Sequence, residues 1–323
     1  MKKSIPFFIF IFIIGCTNLS NNKAKMISID GGHKVWTKKS GNNDKIKLLL
    51  LHGGPGATHE YFKILDNYLP QSNIEYYYYD QFGSHNSDPS TNPSDWTIDR
   101  FVEEVESVRK SLGLNSSNFY LLGHSWGGLL AMEYALKYQK NLKGLIISNM
   151  MASIPDYNNF ASNVLGPQMP SEVLAEIRKL EANKDFGNPR YMELLIPYHY
   201  QEHILRIPAD QWPEEVNNAF ANINQEMYVA MQGPSEFGAS GLLEFWDVKD
   251  RLSEIKTPTL VIGATHDTMD PFYYVQMEVI WQCGMTVIIM QMELFRFSIR
   301  QIINLSLQKQ KRGLKNPFFV SIQ

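Results

Sequence analysis

A chain of 323 residues with 44% apolar and 12% aromatic content is long enough to bury one large core plus an inserted subdomain, which excludes intrinsic disorder as its organising principle. Its 30 basic and 33 acidic residues leave a formal charge of -3, with no basic field for nucleic acid and no acidic tail for cationic partners. The two cysteines, Cys16 and Cys283, exclude a disulfide framework, so packing alone must hold the fold.

The first segment reads as a signal peptide over residues 1–16. Met1-Lys2-Lys3 supplies a positive start, and the apolar run 5–14, broken only by Pro6, is too short to span a bilayer as a mature helix. Its end, Ile13-Ile14-Gly15-Cys16, resembles the bacterial lipobox, which implies lipidation of Cys16, a membrane anchor and a place in the cell envelope. A plain signal peptide with an incidental cysteine is the alternative, and the polar stretch 17–25 fits a tether either way.

Residues 27–36 and 45–51 are strand-like, and the second run ends in His52-Gly53-Gly54-Pro55-Gly56. Strand 74–79 leads into Asp80-Gln81-Phe82-Gly83-Ser84, then come helix 98–112, strand 119–122, helix 127–138 and strand 142–148. This alternation predicts an α/β architecture with a mostly parallel, doubly wound sheet. Core residues 26–148 are followed by irregular helical segments over 149–240, expected to form an inserted cap. The core resumes over 241–271, with strand 258–263 ending at Ala264-Thr265-His266-Asp267. No repeat and no low-complexity tract occurs.

Gly123-His124-Ser125-Trp126-Gly127-Gly128 lies between a strand and a helix, the context that makes G-x-S-x-G the nucleophile elbow of an α/β-hydrolase fold. The backbone turns so sharply there that flanking β-carbons would collide, and the strain holds the Ser125 hydroxyl out at the helix N-terminus. Backbone N–H groups of Gly54 and Trp126 are the expected oxyanion donors. Asp267, at the end of the later strand, is the expected acid of the triad, with Asp270 as second choice. Asp80 is expected to bond the backbone of the 81–84 loop instead. No metal or organic cofactor is implied, and no G-x-G-x-x-G turn supports a dehydrogenase. An aspartate nucleophile of the epoxide hydrolase kind is disfavoured by Ser125.

His-Gly-Gly-Pro-Gly at 52–56, Asp-Gln-x-Gly-Ser at 80–84, Gly-His-Ser-Trp-Gly-Gly at 123–128 and Gly-Pro-Ser-Glu-Phe at 233–237 together resemble the proline iminopeptidases, in order over residues 27–271. The resemblance implies a serine aminopeptidase with a helical cap, acting on a peptide with a free N-terminus. It implies that Glu236 binds the substrate α-amino group, because a carboxylate near the nucleophile neutralises an ammonium and limits how many residues precede the scissile bond. Many relatives carry a second acidic residue directly after the triad aspartate, where this chain has Thr268.

The pattern breaks at the general base. Hydrolases of this fold read Ser, Asp, His along the chain, yet no histidine occurs from Asp267 to Gln323. His124 is expected to pack beneath the elbow, His52 belongs to the oxyanion turn, and His266 adjoins the acid too closely to serve. The tail 272–323 does not read as a closing helix and strand. Taking the third base of each codon with the first two of the next across 275–286 opens a frame that permits Pro-Asn-Gly-Ser-His-Leu-Ala-Met-Trp-Asp-Asp. The single codons of Met277, Trp281 and Met285 force its Gly, its Ala and its final Asp. That string resembles the family's histidine loop and places the lost histidine across Val279 and Ile280, at a spacing from Asp267 shorter than in relatives. Three readings stay open: an envelope-anchored serine aminopeptidase, a general esterase, and a non-catalytic frameshifted remnant.

Overall fold

The computed structural model describes residues 24–281 and 286–290. Cys16, the signal segment 1–16, Cys283 and the tail beyond Met290 lie outside the described residues. Eight strands form one sheet in the order β1-β2-β4-β3-β5-β6-β7-β8. They are β1 (Ala24–Ser28), β2 (Lys34–Ser40), β3 (Lys47–Leu51), β4 (Glu75–Asp80), β5 (Phe119–His124), β6 (Gly144–Ser148), β7 (Thr259–Ala264) and β8 (Thr286–Met290). From β4 to β8 every pairing is parallel, while β1 with β2 and β2 with β4 are antiparallel.

Side chains alternate across this sheet as the two-residue period requires. Leu49, Leu51, Tyr77, Tyr79, Leu121, Leu145, Ile147 and Val261 enter one core, under helices α1 (Ile98–Ser111) and α2 (Trp126–Tyr138). Leu48, Leu50, Tyr76, Tyr78, Leu122, Ile146, Leu260 and Ile262 enter a second core on the opposite face, packed against the 60–67 turn. Helix α1 starts where the Thr97 hydroxyl accepts from the Arg100 amide at 3.3 Å, and Arg109 and Lys110 favour its C-terminal end.

Two expectations are corrected. Residues 27–36 are not one strand but a hairpin, because Asp30-Gly31-Gly32 turns the chain with both glycines at positive φ. The stretch after Asp267 does contain a helix, Pro271–Trp281, and a strand, β8, paired in parallel with β7 from Leu260↔Thr286 to Ala264↔Met290. Its β-branched run Thr286-Val287-Ile288-Ile289 suits a strand, but its partner lies across a crossover, so no local pattern announced the pairing.

Between β6 and β7 the chain forms helices at Ile154–Phe160, Ser171–Ala182, Pro189–Leu195, Glu214–Ala221 and Gln225–Met231. They enclose their own apolar cluster, including Leu165, Ile177, Tyr191, Leu195 and Phe237. Asn224 ties this layer to the glycine-containing loops after β3 and β4: its amide donates to the Gly56 carbonyl at 2.8 Å and its side chain to the Gly83 carbonyl at 2.9 Å.

Candidate active site

Ser125 sits between β5 and α2 at φ 53°, ψ -127°, a conformation that costs a side chain of this kind roughly 1–3 kcal/mol. The surrounding backbone leaves no alternative. A β-carbon on Gly123 would stand 2.0 Å from the Gly127 carbonyl oxygen, and one on Gly127 would stand 2.1 Å from that of Leu51. The Ser125 amide donates to the Ser148 carbonyl at 3.0 Å, which fastens the elbow to the end of β6.

The glycine turn after β3 faces this serine, with Ser125 Oγ 3.5 Å from the place a Gly53 β-carbon would take. Gly53 donates its N–H to the Tyr61 hydroxyl at 2.6 Å, and that hydroxyl donates to His124 Nδ1 at 3.1 Å. Trp126 is the first residue of α2, so its N–H has no partner within the helix. Its indole N–H donates to Gln81 Oε1 at 2.8 Å, and Gln81 Nε2 donates to the His52 carbonyl at 3.0 Å. The two glycine-rich loops and the elbow are thereby one hydrogen-bonded unit.

No imidazole among the described residues bonds Ser125 Oγ. His52 is buried between the Gly53 carbonyl, which accepts from Nδ1 at 2.8 Å, and the Gln81 amide, which donates to Nε2 at 3.1 Å. Burial pushes His52 and His124 down to about 4, so both are neutral packing groups near pH 7. His266 is exposed, and its carbonyl accepts from His203 Nδ1 at 3.1 Å.

Asp267 lies at the end of β7. Its Oδ2 accepts from Asn149 Nδ2 at 2.5 Å and from the Tyr274 hydroxyl at 3.4 Å, while Oδ1 accepts from the Met269 amide at 3.3 Å and the Thr268 hydroxyl at 3.4 Å. Asn149 directly follows Ser148, so Ser125, Asn149 and Asp267 stand in sequence along the carboxyl ends of β5, β6 and β7. Burial pushes the Asp267 carboxyl up to about 6, against the opposing hydrogen bond from Asn149. Asp270 instead accepts from the Phe272 amide at 2.8 Å and caps the 271–281 helix.

The expectation for Asp80 is corrected in detail. It accepts from His59, through the amide at 2.9 Å and Nδ1 at 2.8 Å, and from Asn86 Nδ2 at 2.9 Å, not from the 81–84 amides. Those amides are taken by His52, Glu104, the Asp88 carbonyl and the Gln81 carbonyl.

Glu236 hangs from the cap within electrostatic reach of Asp267 and of Tyr61. The Tyr228 hydroxyl donates to its Oε1 at 2.5 Å, the Tyr157 hydroxyl donates to its carbonyl at 2.5 Å, and its amide donates to the Tyr200 hydroxyl at 3.1 Å. Burial raises its carboxyl above the ordinary range, the Tyr228 bond opposes this, and the charge of Asp267 adds to it. Three phenols thus hold the Glu236 segment, with the charge of Asp267 near enough to act on its carboxyl. A separate cavity of about 420 Å³, lined by residues that include Asp156, Lys249, Asp270 and Tyr273, involves none of Ser125, Glu236 or Asp267.

Sequence reasoning overlooked Asn149, Tyr61, Tyr157, Tyr200 and Tyr228. Asn149 carried a signal, since an asparagine directly after a strand suits its positive φ of 53°. The tyrosines carried none, being scattered over the cap and the core.

Residues 47–287 match the family described as the alpha/beta hydrolase fold. The chain is 58% identical over 241 residues to a proline iminopeptidase of Flavobacterium johnsoniae, covering 75% of this chain and 80% of the relative. It is 36% identical to one of Saccharolobus solfataricus, covering 77% and 78%. Among solved structures, a proline iminopeptidase of Mycobacterium smegmatis superposes with TM-score 0.77 at 26% identity, covering 90% of this chain and all of that one. The crystal structure of VinJ superposes with TM-score 0.79 at 25% identity, covering 90% and 99%.

Proposed function

Because the chain belongs to the proline iminopeptidase family of the α/β hydrolases, we propose that its site is that of a serine aminopeptidase releasing N-terminal proline or similar small residues from peptides. Ser125 attacks the scissile carbonyl to form an acyl-enzyme, the amides of Gly54 and Trp126 receive the oxyanion, and Glu236 holds the substrate ammonium. The observation that carries this reading is the strained Ser125 elbow, together with a buried Glu236 carboxyl on which the Asp267 charge acts. Hydroxyls of three tyrosines around the Glu236 segment favour a polar amine ligand over the apolar acyl group of an ester.

Catalysis also requires a base, and in this reading a frameshift removed the histidine that Asp267 would orient. A non-catalytic remnant is the second reading, favoured by one observation: Asp267 Oδ2 is already occupied by Asn149 and Tyr274. The lipid anchor at Cys16 and an envelope location belong to the same proposal and rest on residues 1–16 alone. Resequencing the gene across codons 265 to 290 tests the frameshift. A Gly-Ser-His segment found in frame restores a triad of Ser125, Asp267 and that histidine. Confirmation of the present frame leaves a broken aminopeptidase.

A further inference from the structure

We propose that His199 and His203 form a binding site for a divalent transition-metal ion of the zinc type, directly behind the Glu236 segment. The two residues stand four apart, on a π-helical turn at Ile196–Tyr200 that continues into a helical turn at Gln201–His203, so their imidazoles project from the same side. Such π-turns recur at functional sites. The rings lie with centroids 5.3 Å apart. Two imidazoles on one tetrahedral zinc, with Zn–N distances of about 2.0–2.1 Å, hold their centroids about 5 Å apart.

Hydrogen bonding fixes which nitrogens are available. A carbonyl can only accept, so His199 Nε2 carries the proton it donates to the Glu236 carbonyl at 3.0 Å, and His203 Nδ1 carries the one it donates to the His266 carbonyl at 3.1 Å. His199 Nδ1 and His203 Nε2 are therefore lone-pair nitrogens. A ring N–H anchored on a backbone carbonyl is the outer-shell support that metal-ligating histidines nearly always have. His199 is fully buried, yet its Nδ1 has no hydrogen-bond partner, an orphaned acceptor that a ligand would satisfy.

Among the described residues no cluster of three histidine, cysteine or carboxylate ligands occurs, so water would complete the coordination and the ion would exchange readily. Because His203 holds the carbonyl beside Asp267, a bound ion would pin segment 196–203 of the cap to the loop that carries the acid.

The test is calorimetric titration of the full chain with zinc sulfate at pH 7.5. Expected is one saturable equivalent per chain, weakened about tenfold or more by His203→Gln, whose amide can still donate to the His266 carbonyl. His85→Ala should leave binding unchanged, and circular dichroism of each variant checks that it is folded. Absence of saturable binding, or binding that survives both His203→Gln and His199→Gln, overturns the proposal.

Discussion

At the scale of single residues two carboxylates, Asp267 and Glu236, are held in environments that disfavour their charge. Asp267 has a folded pKa of about 6 against an ordinary 3.8. Its contribution to stability is therefore complete below about pH 4 and is lost as pH rises through 6, a span worth about 3 kcal/mol. Asp267→Asn should raise stability at pH 7.5 by an amount of that order and change it little near pH 4, as urea unfolding at the two pH values would read. A stabilised variant is the expected mark of a residue kept for function. Glu236 is tuned in the opposite sense by Tyr228, whose hydroxyl holds the charged form. Tyr228→Phe should weaken prolinamide binding and move its acidic limb to higher pH, whereas Glu236→Gln should abolish binding. Calorimetry from pH 4 to 8 separates the two. Loss of affinity in Tyr228→Phe with an unmoved limb would reduce Tyr228 to packing.

The elbow depends on contacts between elements. A methyl group on Gly127 would stand 2.1 Å from the Leu51 carbonyl oxygen at the end of β3, and backbone cannot yield there cheaply. Gly127→Ala is expected to lower stability by more than about 3 kcal/mol, visible as a shifted urea midpoint. Leu49→Ala, removing a fully buried side chain between Tyr77 and Leu121, should lose about 3 kcal/mol in the same assay. Elements of this kind were legible in the sequence because their signals are local: glycines beside a serine and an apolar run before a turn. Asp267 was legible for the same reason, as the first acid past a β-branched strand. Residues 27–36 were read as one strand because the turn of the hairpin they belong to is short, and β8 was missed because its partner β7 lies across a helix. The tyrosines around Glu236 come from four separate segments, Tyr61, Tyr157, Tyr200 and Tyr228, and only the folded cap gathers them.

For the whole molecule the decisive relation is that between the cap and the sheet, which meet through Asn224 on the glycine loops and Ser153 bonded to Asp247 at 2.9 Å. The far edge of the sheet is β8. A chain ended at Met285 leaves the β7 edge unpaired, and loss of stability with association through that edge is expected by urea unfolding and gel filtration. Among the described residues no helix is long and apolar enough to cross a membrane. A nucleophile in place without its base is the central claim, and steady-state release of p-nitroaniline from proline p-nitroanilide tests it most directly, with the Flavobacterium johnsoniae relative assayed beside this chain. Expected is turnover about a thousandfold or more below the relative's. Turnover equal to the relative's and abolished by Ser125→Ala would contradict it, since Ser125 would then have a base that the chain as written does not supply.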